Sequence, residues 1–356
     1  MMKKISIRLM KMICAVALFL VVLFLLQQLL MPKYMSGVYE GRLIGEYYPE
    51  DKNHDVIFIG DCEVYENISP VTLWENYGIT SFIRGSPQQL IWQSYHLLEE
   101  TLRYESPKVV VFSVLSMMYN EPQNEAYNRL TLDGMRLSAS KISSIRVSMT
   151  EDEQWPTYFF PILRYHDRWR ELSVADFRYI FSGGRVSHNG YMMRCDVRPV
   201  SFVPTGLKLP DYRFGPTCYE YLDRITAICK NNNIELILIK APSLYPYWYQ
   251  EWDDQIVSYA NENGLTYINT LKHIDDIGLN WDTDTYDAGL HLNLYGAEKL
   301  SRYLGGILRE SFMLPDCRTD ERLTSIWSEK VSAYNAMMFA QLDELETYGE
   351  IRTLTY

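Results

Sequence analysis

An unbroken apolar run from Ile13 to Leu26 sets the first constraint on this chain. Gln27 and Gln28 interrupt it, and Leu29 to Met31 extend it to nineteen positions. At about 1.5 Å per residue, that length spans roughly 28 Å, close to the ~30 Å hydrocarbon core of a bilayer. Lys3, Lys4, Arg8 and Lys11 precede it. The positive-inside rule then puts the N-terminus in the cytoplasm and the bulk of the chain outside. A cleaved signal peptide would need a small-x-small site near Met31 to Tyr34, and none is there. The expectation is a single-pass cell-membrane protein with an uncleaved anchor and an extracytoplasmic body.

The charge balance narrows the partners of that body. The full chain is at −11, while its first 33 residues carry +5, leaving −16 on the rest. Nucleic acid needs a basic surface, so it is excluded as the default partner. Apolar residues make up 47% of the chain, enough to build a packed core and too many for general disorder. The six cysteines form no Cys-x-x-Cys pair, so neither a zinc site nor any other metal or cofactor is implied. An exported body permits disulfides, up to two among Cys195, Cys218, Cys229 and Cys317.

The body reads as alternating strands and helices. Short apolar runs at 55–60, 78–85, 108–114, 234–240 and 265–269 predict strands. The helical spacings at 70–77, 87–104, 219–231, 247–263 and 294–312 fall between and after them. The unalternating run Lys108 to Val114 predicts a strand covered on both faces. This rhythm implies a three-layer α/β domain with a parallel five-stranded sheet. The expected organisation is a stub and anchor over 1–33, a stalk over 34–54, the α/β domain over 55–316 and a helical tail over 317–356. An insertion over about 117–215 is expected to cover one edge of the sheet.

Sites in parallel α/β sheets form at the carboxyl ends of strands. Those ends are followed here by Gly60-Asp61-Cys62-Glu63, by Arg84-Gly85-Ser86, by Ser116, Tyr119, Asn120 and Glu121, and by Lys240 to Ser243. Tyr286, Asp287, His291 and Asn293 lie just before the last helix of the repeat. A thiol, an Asp/His pair and several hydrogen-bond donors on one rim are the parts needed for acyl transfer.

The chain order of these residues resembles the SGNH/GDSL hydrolase superfamily, over roughly 55–115 and 219–312. The membrane-anchored setting is similar to the branch of DltD-type teichoic-acid proteins and polysaccharide O-acetylation proteins. The resemblance implies the flavodoxin-like SGNH fold. It places the family's nucleophilic serine on Cys62, its base on His291 and its oxyanion glycine on Gly85. Its oxyanion asparagine falls on Asn120, with Asn124 as a rival. The acid falls on Asp287, four residues before the histidine where the family has three, so Asp284 and Asp282 also stand as candidates. The implied activity is an esterase or acyltransferase acting on O-acyl groups of a cell-envelope polymer, an envelope polysaccharide or a teichoic-acid type. A multi-span membrane acyltransferase is an implied partner. Cys in place of Ser also fits a catalytically inactive scaffold or binding subunit of the same fold.

Overall fold

A computed structural model describes residues 2–32, 43–174, 176–177, 180 and 186–352. Helix α1 (Met2–Leu30) contains the apolar stretch Ile7–Leu30, and its side chains are largely exposed. Among the described residues it is the one helix long and apolar enough to cross a membrane.

Five short strands follow: β1 (Val56–Gly60), β2 (Ser81–Gly85), β3 (Val109–Ser113), β4 (Glu235–Lys240) and β5 (Thr266–Asn269). They form one parallel sheet in the order β2-β1-β3-β4-β5. Helices of eight residues and more are numbered α2 (Pro70–Tyr77), α3 (Ile91–Thr101), α4 (Glu125–Leu132), α5 (Ala139–Ser148), α6 (Pro216–Asn231), α7 (Gln250–Asn263), α8 (Leu294–Ser311) and α9 (Glu321–Tyr348).

Strand periodicity explains the layers. Side chains alternate between faces. Ile57, Ile59, Val110, Phe112, Leu236 and Leu238 pack with α3, α6 and α7. Val56, Phe58, Val109, Val111, Ile237 and Ile239 pack with α2, α8 and α9. Because both faces are covered, β1 and β3 are buried along their whole length, as their unalternating sequences predict. The order 2-1-3-4-5 reverses direction at β1, so a crevice opens beyond the carboxyl ends of β1 and β3. Gly60 closes β1 there with φ +152°, and a Cβ on it would come within 2.7 Å of the Ser113 Cβ. Only glycine lets these two strands approach so closely at the mouth of the crevice.

Residues near Asn189 run along the open edge of the sheet at β2. The Ile83 N–H of edge strand β2 donates to the Asn189 carbonyl at 2.9 Å, and the Asn189 amide donates to Ser81 O at 3.0 Å. These bonds satisfy groups that an open edge would leave unpaired. The expected stalk is different. Residues 34–42 of it lie outside the described residues, but Leu43, Ile44 and Tyr47 are fully buried. The cause is Arg84, which sequence order had put on the rim. Its side chain is buried against Glu100 at 3.0 Å and under the Tyr47 ring at 4.1 Å, so residues 43–48 are drawn into the core. The tail also docks. Trp327 of α9 stacks on Trp74 of α2, with centroids 5.1 Å apart at 14°. All six cysteines are free thiols.

Candidate active site

Asp61 and Cys62 follow Gly60 directly, at the turn out of β1. Asp61 has extended backbone and accepts the Glu63 N–H at 3.1 Å, capping the one-turn helix Cys62–Tyr65. The chain therefore turns sharply, and the half-buried Cys62 begins that turn. Gly85 ends β2 in register with Gly60. A Cβ on Gly85 would press against Gly60 O, Tyr65 and Val64, each at 3.2 Å, so a larger residue would push the Cys62 turn away from the sheet.

Beneath the turn lies a buried ion pair. Glu63 accepts from the Lys240 ammonium, from the Ser113 hydroxyl at 3.3 Å and from the Ala241 N–H at 3.2 Å. Lys240 also donates to Ala241 O at 2.7 Å. Both side chains are essentially without solvent exposure. The ends of β1, β3 and β4 are thereby tied together under the rim.

His291 comes from the loop before α8. The Asp287 carboxylate accepts the His291 backbone N–H at 2.8 Å and holds Nδ1 at 2.7 Å. Both bonds come from one carboxylate because Ala288 (φ +65°) and Gly289 (φ +99°) take left-handed backbone and fold the extra residue into a tight loop. Thr285 closes that loop, donating to His291 O at 2.8 Å and accepting from Gly289 N at 2.8 Å. The four-residue spacing thus gives direct Asp–His contact. Of the other two acids, one is paired elsewhere and one faces solvent. Asp284 is buried and accepts from Lys299 at 2.6 Å and from Asn280 N at 2.8 Å. Asp282 lies exposed in the same loop.

His291 and Cys62 lie near one another at the mouth of the sheet. They are close enough for each to shift the ionisation of the other. With Nδ1 committed to Asp287, Nε2 is the nitrogen left for proton transfer; it is buried and makes no well-formed hydrogen bond. Burial pushes the Cys62 thiol up to about 12; the imidazole pulls it down, while Asp61 and Glu66 raise it further. Burial alone would lower the His291 pKa, but Glu66, Cys62 and Asp287 outweigh it and hold the ring well above the ordinary imidazole range. Burial and the adjacent Glu63 raise the Asp61 carboxyl to about 7.

Two residues near the ring, Glu66 and Asn67, were not singled out from the sequence; Tyr286, which was, joins them there. Glu66 lies 3.4 Å from His291 Nδ1 and accepts a hydrogen bond from the Tyr286 hydroxyl. The Tyr286 ring stacks on the imidazole, with centroids 5.9 Å apart at 18°. Asn67 accepts the Leu292 N–H at 2.8 Å, fastening the histidine loop to the segment that carries Cys62. Gln88 donates to the Tyr119 hydroxyl at 3.4 Å, and its own Oε1 is buried without a hydrogen bond. Glu66 stands four residues after Cys62, a helical spacing that brings it to the same mouth and was there to be read.

The two asparagines need correction. The Asn120 amide oxygen accepts the Thr217 N–H at 3.0 Å, and its side chain fills the space over Gly215. Gly215 precedes α6 and has no side chain to cap it, so Asn120 caps that helix from outside. Asn124 caps α4 in the ordinary way, accepting the Tyr127 N–H at 3.0 Å. Tyr119, next to Asn120, has its phenol pKa raised by burial first and by Asp61 to a lesser degree.

No family model matches this chain, and no curated protein matches it. Among solved structures, one similar chain is described as a lipolytic protein of the G-D-S-L family from Desulfitobacterium hafniense DCB-2. It has 14% identity and a TM-score of 0.35, and the match covers 72% of this chain and 100% of that one. Another is described as an acylhydrolase from Bacteroides fragilis NCTC 9343, with 12% identity, a TM-score of 0.37 and coverage of 75% and 94%. A GDSL-like lipase from Bacteroides thetaiotaomicron VPI-5482 has 12% identity, a TM-score of 0.35 and coverage of 76% and 98%.

Proposed function

We propose that this protein is a membrane-anchored, extracytoplasmic acyl hydrolase or acyltransferase that works through Cys62, His291 and Asp287. The observation that carries the reading is the Asp287–His291 pair, 2.7 Å apart, with its remaining nitrogen buried beside a thiol at the switch point of the sheet. Because the thiol rests protonated, attack is coupled to proton transfer rather than preceded by it. His291 Nε2 takes the thiol proton as the sulfur bonds to the acyl carbon. The carbonyl oxygen becomes an oxyanion, for which the Cys62 and Gly85 N–H groups are the proposed donors. The ester C–O bond then breaks, and His291 returns the proton to the leaving hydroxyl. Water or a sugar hydroxyl resolves the thioester by the same route. O-acylated envelope polysaccharide or a teichoic-acid-type polymer is the proposed substrate, on the sequence resemblance alone; a multi-span membrane acyltransferase is the proposed acyl source.

This account fixes a pH dependence. The neutral imidazole is the active base, so kcat/KM rises as pH climbs through the His291 pKa. The Glu66 carboxylate holds that pKa high. Glu66→Gln removes the charge, and the rising limb of the pH–rate profile moves to lower pH. A limb that stays in place in Glu66→Gln would mean that His291 is not the titrating base.

One observation favours a second reading, in which the domain is a silent scaffold. Burial and two carboxylates disfavour the Cys62 thiolate. On that reading Cys62 reacts with iodoacetamide as slowly as a buried thiol, and no acetyl ester is turned over.

A further inference from the structure

The insertion meets the outer end of α1, and this contact identifies a second surface. The Arg168 guanidinium donates to Leu29 O, Leu30 O and Met31 O, at 3.2, 3.4 and 3.5 Å, and pairs with Asp176 at 2.7 Å. These are carbonyls that the end of a helix leaves without intrahelical partners. The short helices Ile162–Tyr165 and His166–Arg170 pack against α1 at the same level. A cleft of about 480 Å³ lies between, lined by Phe24 and Met31 from the α1 side and by Leu137, Phe159 and Pro161 from the insertion. Phe24 stands six residues before Leu30, so the cleft reaches roughly 9 Å down the helix.

Large apolar side chains are exposed around this cleft, among charged and polar ones. Leu137, Phe160 and Leu163 are exposed there. So are Trp155 and Trp169, at 37% and 61%, and the other six tryptophans of the chain are buried or half-buried. Trp155 packs on Phe159, which lines the cleft, and Trp169 sits on the short helix that touches α1. Charges of both signs interleave over this stretch, so burial of apolar area rather than charge must supply the attraction. Tryptophan partitions to the headgroup level of a bilayer, with its ring in hydrocarbon and its N–H in water.

We propose that the insertion face carrying Trp155, Phe160, Leu163 and Trp169 is a second membrane-contacting element, lying in the outer interface of the bilayer that α1 crosses. The proposal rests on the anchor reading of α1. It gives the body a fixed orientation on the membrane, because two separate elements touch the bilayer and Arg168 joins them.

The test uses the full chain in phosphatidylcholine vesicles brominated high on the acyl chains. Bromine quenches only nearby indoles, and α1 contains no tryptophan. The expected result is partial quenching of the wild-type emission, with the quenchable fraction falling nearly to zero in W155F/W169F. Both proteins are expected to float with the vesicles and to keep equal ester turnover. Flotation with no quenching in either protein would overturn the second contact and leave the anchor standing. Failure of the wild type to float would overturn both. Emission from Trp155 and Trp169 that responds to protein density in the vesicles, and not to bromine, would mean that a second copy covers the face and would also overturn the proposal.

Discussion

Cys62→Ala and His291→Ala are each expected to lower kcat for a chromogenic acetyl ester by about 10³-fold or more, the usual cost of removing one member of a nucleophile–base–acid unit. The double variant is expected to lose little beyond either single one, because the two groups act in one proton transfer. Cys62→Ser is expected to retain measurable turnover, since His291 and Asp287 would treat a hydroxyl as they treat a protonated thiol. Asp287→Ala removes the carboxylate that holds the ring at Nδ1 and the loop at the His291 backbone N–H, at 2.7 and 2.8 Å. It should approach the same loss, while Asp284→Asn should leave kcat unchanged and lower stability, because Asp284 holds Lys299 and the Asn280 turn. Steady-state assays of the six variants at one pH above the rising limb check all of this. Turnover that survives in Cys62→Ala would remove the thiol from the mechanism.

Lys240→Met is expected to destabilise the fold by about 3–5 kcal/mol, because it leaves Glu63 charged, buried and without its cation. For a domain of this size the melting temperature should fall by roughly 6–20 °C. The pair Glu63→Met/Lys240→Met should recover most of that loss, since the desolvation cost disappears with the charges. A thermal melt of the three proteins decides it. If Lys240→Met melts with the wild type, the ion pair is not what ties β1 to β4 beneath Cys62.

The sheet was legible because its signal is local. Strands buried on both faces must be short and apolar, and five such runs separated by helical spacings leave few alternatives to a parallel sheet. The Cys62 turn was legible for the same reason, as it follows an apolar strand directly. What the sequence hid were contacts between distant segments. Nothing near Arg84 marks it as the partner of Glu100 and Tyr47, so residues 43–54 read as a stalk. Nothing near Asn120 reveals that a helix beginning 96 positions later at Pro216 lacks a cap. The spacing of Asp287 and His291 read as a departure because the left-handed turn at Ala288 and Gly289 is set by the folded loop. Glu66 needed only the extension of a helical spacing already begun at Cys62, whereas the bond of Asn67 to Leu292 joins distant segments.

Mass spectrometry of the protein quenched during turnover of an activated acetyl ester addresses the nucleophile–base pairing most directly. The account predicts one acetyl group per chain, mapped to the peptide bearing Cys62, forming fast in the wild type and at least about 10³-fold more slowly in His291→Ala. Acetylation of Cys62 at the same rate with and without His291, or ester turnover with Cys62 left unmodified, would contradict it.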